Sequence, residues 1–180
     1  DRFSADLSVA RTLQKYPLQV DRCECCGHCL VPHFTAPEDS YAHYLFTSEQ
    51  SPGLAEAFSE IVLDILSRHD VDATDVILDI GANDGSWLRC FSDVCRDLIA
   101  VEPAPGPATV AASHQIHVIN DYFTTKAVVN SGLLTEPPRI ISMNYVFANV
   151  PNPVEILCDV ASLADETTVI TVLTGYHPAQ

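Results

Sequence analysis

Residues 76–85 read VILDIGANDG, placing two glycines, two aspartates and an asparagine at and around one turn. A turn of this kind brings backbone close to a ligand at the start of a helix, as in nucleotide sites. Gly81 permits a tight exit from the apolar run, and Gly85 lets the following helix pack closely. Asp79, Asn83 and Asp84 crowd the turn with carboxylates and an amide, which repel a pyrophosphate and accommodate a cation. S-adenosylmethionine, with its sulfonium and amino group, meets that condition. Glu102 lies close to the ~20-residue offset at which dinucleotide folds place a ribose-binding acid. Its two oxygens suit the two ribose hydroxyls. Asp121, in INDYF, is placed to accept from an adenine amino group, with Tyr122 or Phe123 against the ring. Asn144 ends the run RIISMN, where the methyl donor would sit. The alternative is a strand–turn–helix corner with solvated acids.

These residues need elements to position them, and the hydrophobic pattern supplies five strands alternating with helices. VILDI (76–80), LIAVE (98–102), IHVI (116–119), RIISMN (139–144) and TTVITVL (167–173) read as buried strands. Leu54, Phe58, Ile61, Val62, Ile65 and Leu66 recur at helical spacing after a start at Ser51-Pro52. Trp87, Leu88, Phe91, Val94 and Cys95 mark a second helical face, and helices are expected near 106–113, 124–131 and 153–163. The alternation implies an α/β fold, a parallel doubly wound sheet with sites at the strands' C-terminal ends.

The second cluster of chemistry is CECCGHC, Cys23 to Cys29, holding four of the seven cysteines. Cys23 and Cys26 form a CxxC of zinc-knuckle spacing, two of the four ligands a structural zinc needs. Cys25, Cys29, His28 and His33 are local candidates to complete the set, and free thiols in a vestigial knuckle are the alternative. Cys90, Cys95 and Cys158 read as small core hydrophobes. No apolar run approaches a membrane span and no signal peptide is evident, so a cytoplasmic setting is expected. There clustered cysteines serve as metal ligands or thiols rather than disulfides. The net charge is −15, with 9 Lys+Arg against 24 Asp+Glu. That excess repels nucleic acid, and no basic stripe offsets it. The expected partner is a small-molecule substrate.

Taken together, YPLQVDRCECCGHC, YAHYLFTSEQS, ILDIGANDGSWLRCF, VEPAP, INDYF, NYVFANVPNP and TGYHP resemble, in order and spacing, the sugar C-methyltransferases of antibiotic biosynthesis. Members of that family act on nucleotide-linked keto-deoxysugars. The resemblance implies a class I (Rossmann-like) methyltransferase sheet over residues 51–180, S-adenosylmethionine as cofactor, and a zinc-knuckle-like segment over residues 1–50. It adds Tyr44, Ser48 and Pro103 to the cofactor contacts. Tyr176 and His177, in TGYHP, fall near the expected methyl-transfer position and are the catalytic candidates within the chain. The family pattern places its catalytic base in a later Tyr-His-Glu-His segment. It also carries an earlier CxxC pair, and usually a His where Asn149 stands. Such a sheet has seven strands against the five read here, so it is expected to be incomplete. The apolar fifth strand would then be covered by further chain or by another molecule.

The implied reaction is removal of a proton alpha to a keto group, followed by attack of the enolate carbon on the sulfonium methyl. Two other readings are a C-methyltransferase domain of a polyketide assembly line and a cofactor-binding module without catalysis.

Overall fold

The computed structural model describes residues 4–33, 35–41 and 44–175. It contains two compact units, Asp1–Tyr44 and Leu45–Gln180.

The first unit is built from short pieces. A helix over Leu7–Thr12 starts at Asp6, whose side chain accepts the Ser8 N–H at 2.7 Å, the usual N-cap arrangement. Strands Asp21–Arg22 and Cys29–Leu30 pair antiparallel, and a second helix spans Pro37–Tyr41. The cysteine cluster forms the turn of this hairpin. The Cys23 N–H donates to the His28 carbonyl at 2.8 Å, and the Gly27 N–H to the Cys23 carbonyl at 2.9 Å. Gly27 closes the turn at φ +75°, a conformation that favours glycine.

The second unit is a parallel sheet of five strands: β1 (Val76–Ile80), β2 (Asp97–Val101), β3 (His117–Ile119), β4 (Ile140–Asn144) and β5 (Val169–Leu173), in the spatial order β3-β2-β1-β4-β5. The central strand β1 is buried along its whole length, as its unbroken apolar run requires. Helices α1 (Leu54–Arg68), α2 (Ser86–Arg89), α3 (Pro105–Ser113), α4 (Thr125–Ser131) and α5 (Pro153–Leu163) connect or flank the strands. One core cluster gathers Phe58, Val62 and Ile65 of α1 with Ile77, Trp87, Phe91 and Ile140. The other gathers Leu78, Ile80, Val101, Ile141 and Met143 with Val128 of α4 and Val160 of α5. Side chains cap two of these helices: Thr124 accepts the Ala127 N–H at 3.0 Å and Asn152 the Glu155 N–H at 3.3 Å.

Three expectations need correction. Helix α1 begins at Leu54, after Gly53 at φ +79°, because Ser51 and Pro52 belong to a preceding turn. The helix expected over Trp87–Cys95 ends at Arg89. Beyond it Cys90, Phe91 and Ser92 bond three residues back, the tighter winding that brings Phe91 and Cys95 into the core. Cys158 is exposed on α5 and is no core residue, whereas Cys95 is buried. Strand β5 pairs only with β4 among the described residues, and Ile170 and Val172 stand about half exposed at that end of the sheet. No described helix is long and apolar enough to cross a membrane.

Candidate cofactor site

The parallel register brings the chemistry of three strands to one edge. Asp79, the fourth residue of β1, lies opposite Ser142 of β4 on one side and Ala100 of β2 on the other. Its Oδ1 accepts from the Ser142 hydroxyl at 2.7 Å and from the Asn144 Nδ2 at 3.2 Å. Asn144, two residues on from Ser142, projects to the same face as it. Asp79 is 2% exposed. Burial, with the Glu102 carboxylate adding to it, raises its carboxyl from the ordinary 3.8 to about 7, against the opposing effect of the Ser142 and Asn144 bonds.

Glu102 follows β2 directly and is also buried. Its Oε2 accepts the Asn83 N–H and its Oε1 the Ala104 N–H, both at 2.8 Å. Burial raises its carboxyl and these two backbone bonds oppose the rise. The two oxygens expected to serve ribose hydroxyls therefore each hold one backbone donor already, leaving one lone-pair site apiece for a ligand. The Asn120 amide ties the end of β3 to this corner by donating to the carbonyls of Glu102 and Pro103 at 2.7 and 3.1 Å.

The glycine turn joins these strands. The N–H groups of Gly81 and Ala82 both donate to the Val101 carbonyl, hooking the turn onto β2. Gly81 stands at φ +70°, and a Cβ there would run into Val146 from the loop after β4. Gly85, at φ +77°, abuts Ile116 and Ala111, with a Cβ position 2.5 Å from Ile116 Cδ1. Its smallness thus serves packing against α3 and the approach to β3. Asn83 adopts φ +53° and Tyr145 φ +57°, two non-glycine residues in the left-handed region at the ends of neighbouring strands.

Asn83 and Asp84 carry a task that sequence reasoning missed. Asn83 Oδ1 accepts the Ser48 N–H at 3.0 Å and its Nδ2 donates to the Phe46 carbonyl at 3.0 Å. Asp84, fully buried, accepts the Glu49 N–H at 2.9 Å and the Ser86 hydroxyl at 2.6 Å. The segment 46–49 is thereby strapped onto the glycine turn, and Arg89 reinforces it through a 2.6 Å ion pair with Glu49. Ser48 reaches the site through its backbone. Only the crowding of polar residues after Gly81 hinted at such partners.

The remaining expected residues disperse. Asp121 is exposed and accepts the Tyr122 N–H at 2.7 Å, and Tyr122 is half-buried. Phe123 lies in the core cluster opposite the Asp79 face, lining with Ile156 and Asp159 a cavity of about 120 Å³. Tyr44 belongs to the first unit, its ring edge-on to Tyr41 at 5.7 Å. Tyr176 and His177 lie outside the described residues. Asn149, on the turn after β4, donates to the Tyr145 carbonyl at 2.9 Å. At the hairpin, hydrogen bonds from the Cys26 backbone and then the Cys25 backbone pull the Cys23 thiol below its ordinary range. Among the described residues no group of three or more His, Cys, Asp or Glu converges as a metal site.

Comparison with known proteins identifies the family and the fold. A family model described as a methyltransferase domain matches residues 41–177. The C-methyltransferase NovU of Streptomyces niveus is 23% identical over 148 residues, 82% of this chain and 35% of its own length. Among solved structures, the plantazolicin methyltransferase BpumL in complex with SAH superposes with a TM-score of 0.54 at 18% identity, covering 69% of this chain and 48% of that one. The YcgJ protein of Bacillus subtilis gives 0.53 at 18% identity, covering 67% and 51%. The chain thus spans about a third of the curated relative and about half of these structures. The parallel sheet is that of the class I Rossmann-like methyltransferases, and the chain belongs to the methyltransferase-domain family.

Proposed function

We propose that the second unit holds S-adenosylmethionine, and that the protein is a C-methyltransferase acting on a keto-deoxysugar nucleotide or a related natural-product intermediate. One observation carries the cofactor reading. The Asp79 and Glu102 carboxyls are buried at the C-terminal edge of adjacent central strands, and among the described residues no Lys, Arg or His pairs with either. Two unpaired buried acids suit a ligand that brings hydroxyl donors and positive charge. The fit is supported by Asn144 Oδ1, a buried acceptor with no partner in this site.

Asp79, Asn144 and Glu102 are the residues proposed to hold the cofactor, with Gly81 and Gly85 shaping the turn between them. When bound, S-adenosylmethionine supplies an electrophilic methyl group on sulfur. Glu102 orients the ribose through its remaining lone pairs, while Asn83 and Asp84 keep the 46–49 segment in place over the turn. Asp121 and Tyr122, at the end of β3, remain the candidates for the adenine. Carbon as the acceptor, and a sugar nucleotide as its carrier, rest on the sequence motifs and the likeness to NovU. Tyr176 and His177 stay candidates for proton transfer. Zinc at the CxxC turn would be held by Cys23 and Cys26. The described residues offer no completing pair, so no step is assigned to a metal.

Isothermal titration calorimetry tests the reading. The chain should bind S-adenosylmethionine and S-adenosylhomocysteine and not NAD. Glu102→Gln, which keeps one carbonyl acceptor and loses the charge, should weaken both by about tenfold or more. A folded chain that binds neither, or that binds NAD more tightly, overturns it.

A further inference from the structure

The backbone at the end of β4 is held in a strained form. Tyr145 follows Asn144 at φ +57°, a left-handed conformation that is an outlier for a bulky residue and that glycine takes freely. It is pinned from both sides. The Tyr145 N–H donates to the Leu173 carbonyl of β5 at 2.7 Å, and the Tyr145 carbonyl accepts from the Asn149 amide at 2.9 Å. The Asn149 N–H donates in turn to the Val146 carbonyl at 2.8 Å, and Val146 fills the space beside Gly81. A glycine would make the same turn without strain, so the tyrosine is there for its side chain. That side chain is no part of the core. Tyr145 is 52% exposed, and among the described residues its hydroxyl has no hydrogen-bond partner.

Its place decides what it can meet. The bonds of segment 46–49 end on Asn83 and Asp84, so this strap covers the glycine turn between β1 and α2. Glu102 closes the β2 side through its bonds to Asn83 and Ala104. A second molecule that reacts with a ligand held by Glu102, Asp79 and Asn144 is left the β4 side of the edge to approach from. Tyr145 stands there, next to Asn144. We propose that Tyr145 is a specificity-determining residue that binds the methyl acceptor, its phenol O–H donating to the carbonyl oxygen of a keto substrate. The proposal rests on the functional reading above. A carbonyl supplies the acceptor that this donor lacks. The pinned backbone sets the direction of the phenol before the substrate arrives, which lowers the ordering cost of binding.

The test is calorimetry on the chain saturated with S-adenosylhomocysteine. It is titrated with thymidine-diphosphate-linked keto-deoxyglucose and, separately, with thymidine diphosphate. Tyr145→Phe should weaken the keto sugar about three- to tenfold and leave thymidine diphosphate and S-adenosylhomocysteine unchanged. The ring carbon resonances of Tyr145 in the wild-type protein give a second readout, independent of any variant's folding. They should shift with the keto sugar and not with thymidine diphosphate. Tyr145→Gly should lower the unfolding constant roughly fivefold, because it relieves the left-handed strain. Equal affinity of wild type and Tyr145→Phe for the keto sugar, or an equal loss for both nucleotides, overturns the inference and leaves the functional reading intact. So does a Tyr145→Gly protein that unfolds more readily, which would make the ring part of the fold. A chain that binds S-adenosylhomocysteine but no keto sugar overturns the sugar-nucleotide reading, and this inference with it. Failure to bind S-adenosylhomocysteine overturns the cofactor reading and everything that rests on it.

Discussion

Replacing Asp79 by Asn should make the ligand-free protein more stable at alkaline pH. The exposed carboxyl titrates near 3.8, and the folded one at about 7. Between those values the native state holds a proton that the unfolded chain has released, so stability falls as pH rises through the window. The slope from this one group is about 1.4 kcal/mol per pH unit, and the whole loss, complete above pH 7, comes to about 4 kcal/mol. Asn at this position keeps a carbonyl to accept from the Ser142 hydroxyl and the Asn144 amide, both of which now bond to Oδ1. The bonds survive and the charge does not. Urea unfolding of both proteins at intervals from pH 5 to pH 8 measures the effect. The gap should be about 1.7 kcal/mol at pH 5, where the unfolded carboxyl is already ionised, and widen in favour of Asp79→Asn to roughly 4 kcal/mol at pH 8. Asp6, Asp72 and Asp165, whose hydrogen bonds lower their carboxyls, push the other way but are present in both proteins and cancel. Parallel stability curves, or a less stable variant at pH 8, would refute the argument that Asp79 is an uncompensated buried acid.

Gly85→Ala should destabilise the chain by about 2–4 kcal/mol in the same assay, combining a left-handed conformation with overpacking against Ile116 and Ala111. A change under about 0.5 kcal/mol would mean that this corner adapts freely. Asn83→Ala should raise amide hydrogen exchange at Ser48 roughly tenfold or more, since it removes that N–H's acceptor, while Glu49, held by Asp84, changes less. Unchanged protection at Ser48 would show that the strap is held by something else.

Strands were the most legible part of the sequence. VILDI coincides with β1, and the other four runs agree with β2 to β5 to within two residues at each end. Apolar stretches bounded by turn residues leave little choice of state in a doubly wound sheet. The short α2 was less legible, because Trp87, Leu88, Phe91 and Cys95 can face one core along either a regular helix or a tightened one. In the candidate site, Asp79, Glu102 and Asn144 could be named because strand ends are where parallel sheets expose chemistry. Their partners could not, since hydrogen bonds such as Ser48 to Asn83 join residues 35 positions apart. Ser142 did leave a trace. A hydroxyl between the apolar residues Ile141 and Met143 must find a buried partner, and the register supplies Asp79.

The contact between Gly81 and Val146 carries a consequence for how such sequences diverge. The absent side chain at one position is the space occupied by the branched one at the other. The two positions share a single volume across the ends of β1 and β4, so neither can drift alone. In descendants of this chain a larger residue at position 81 should appear only beside Ala or Gly at 146. A β-branched residue at 146 should keep glycine at 81, whichever substrate the lineage comes to use.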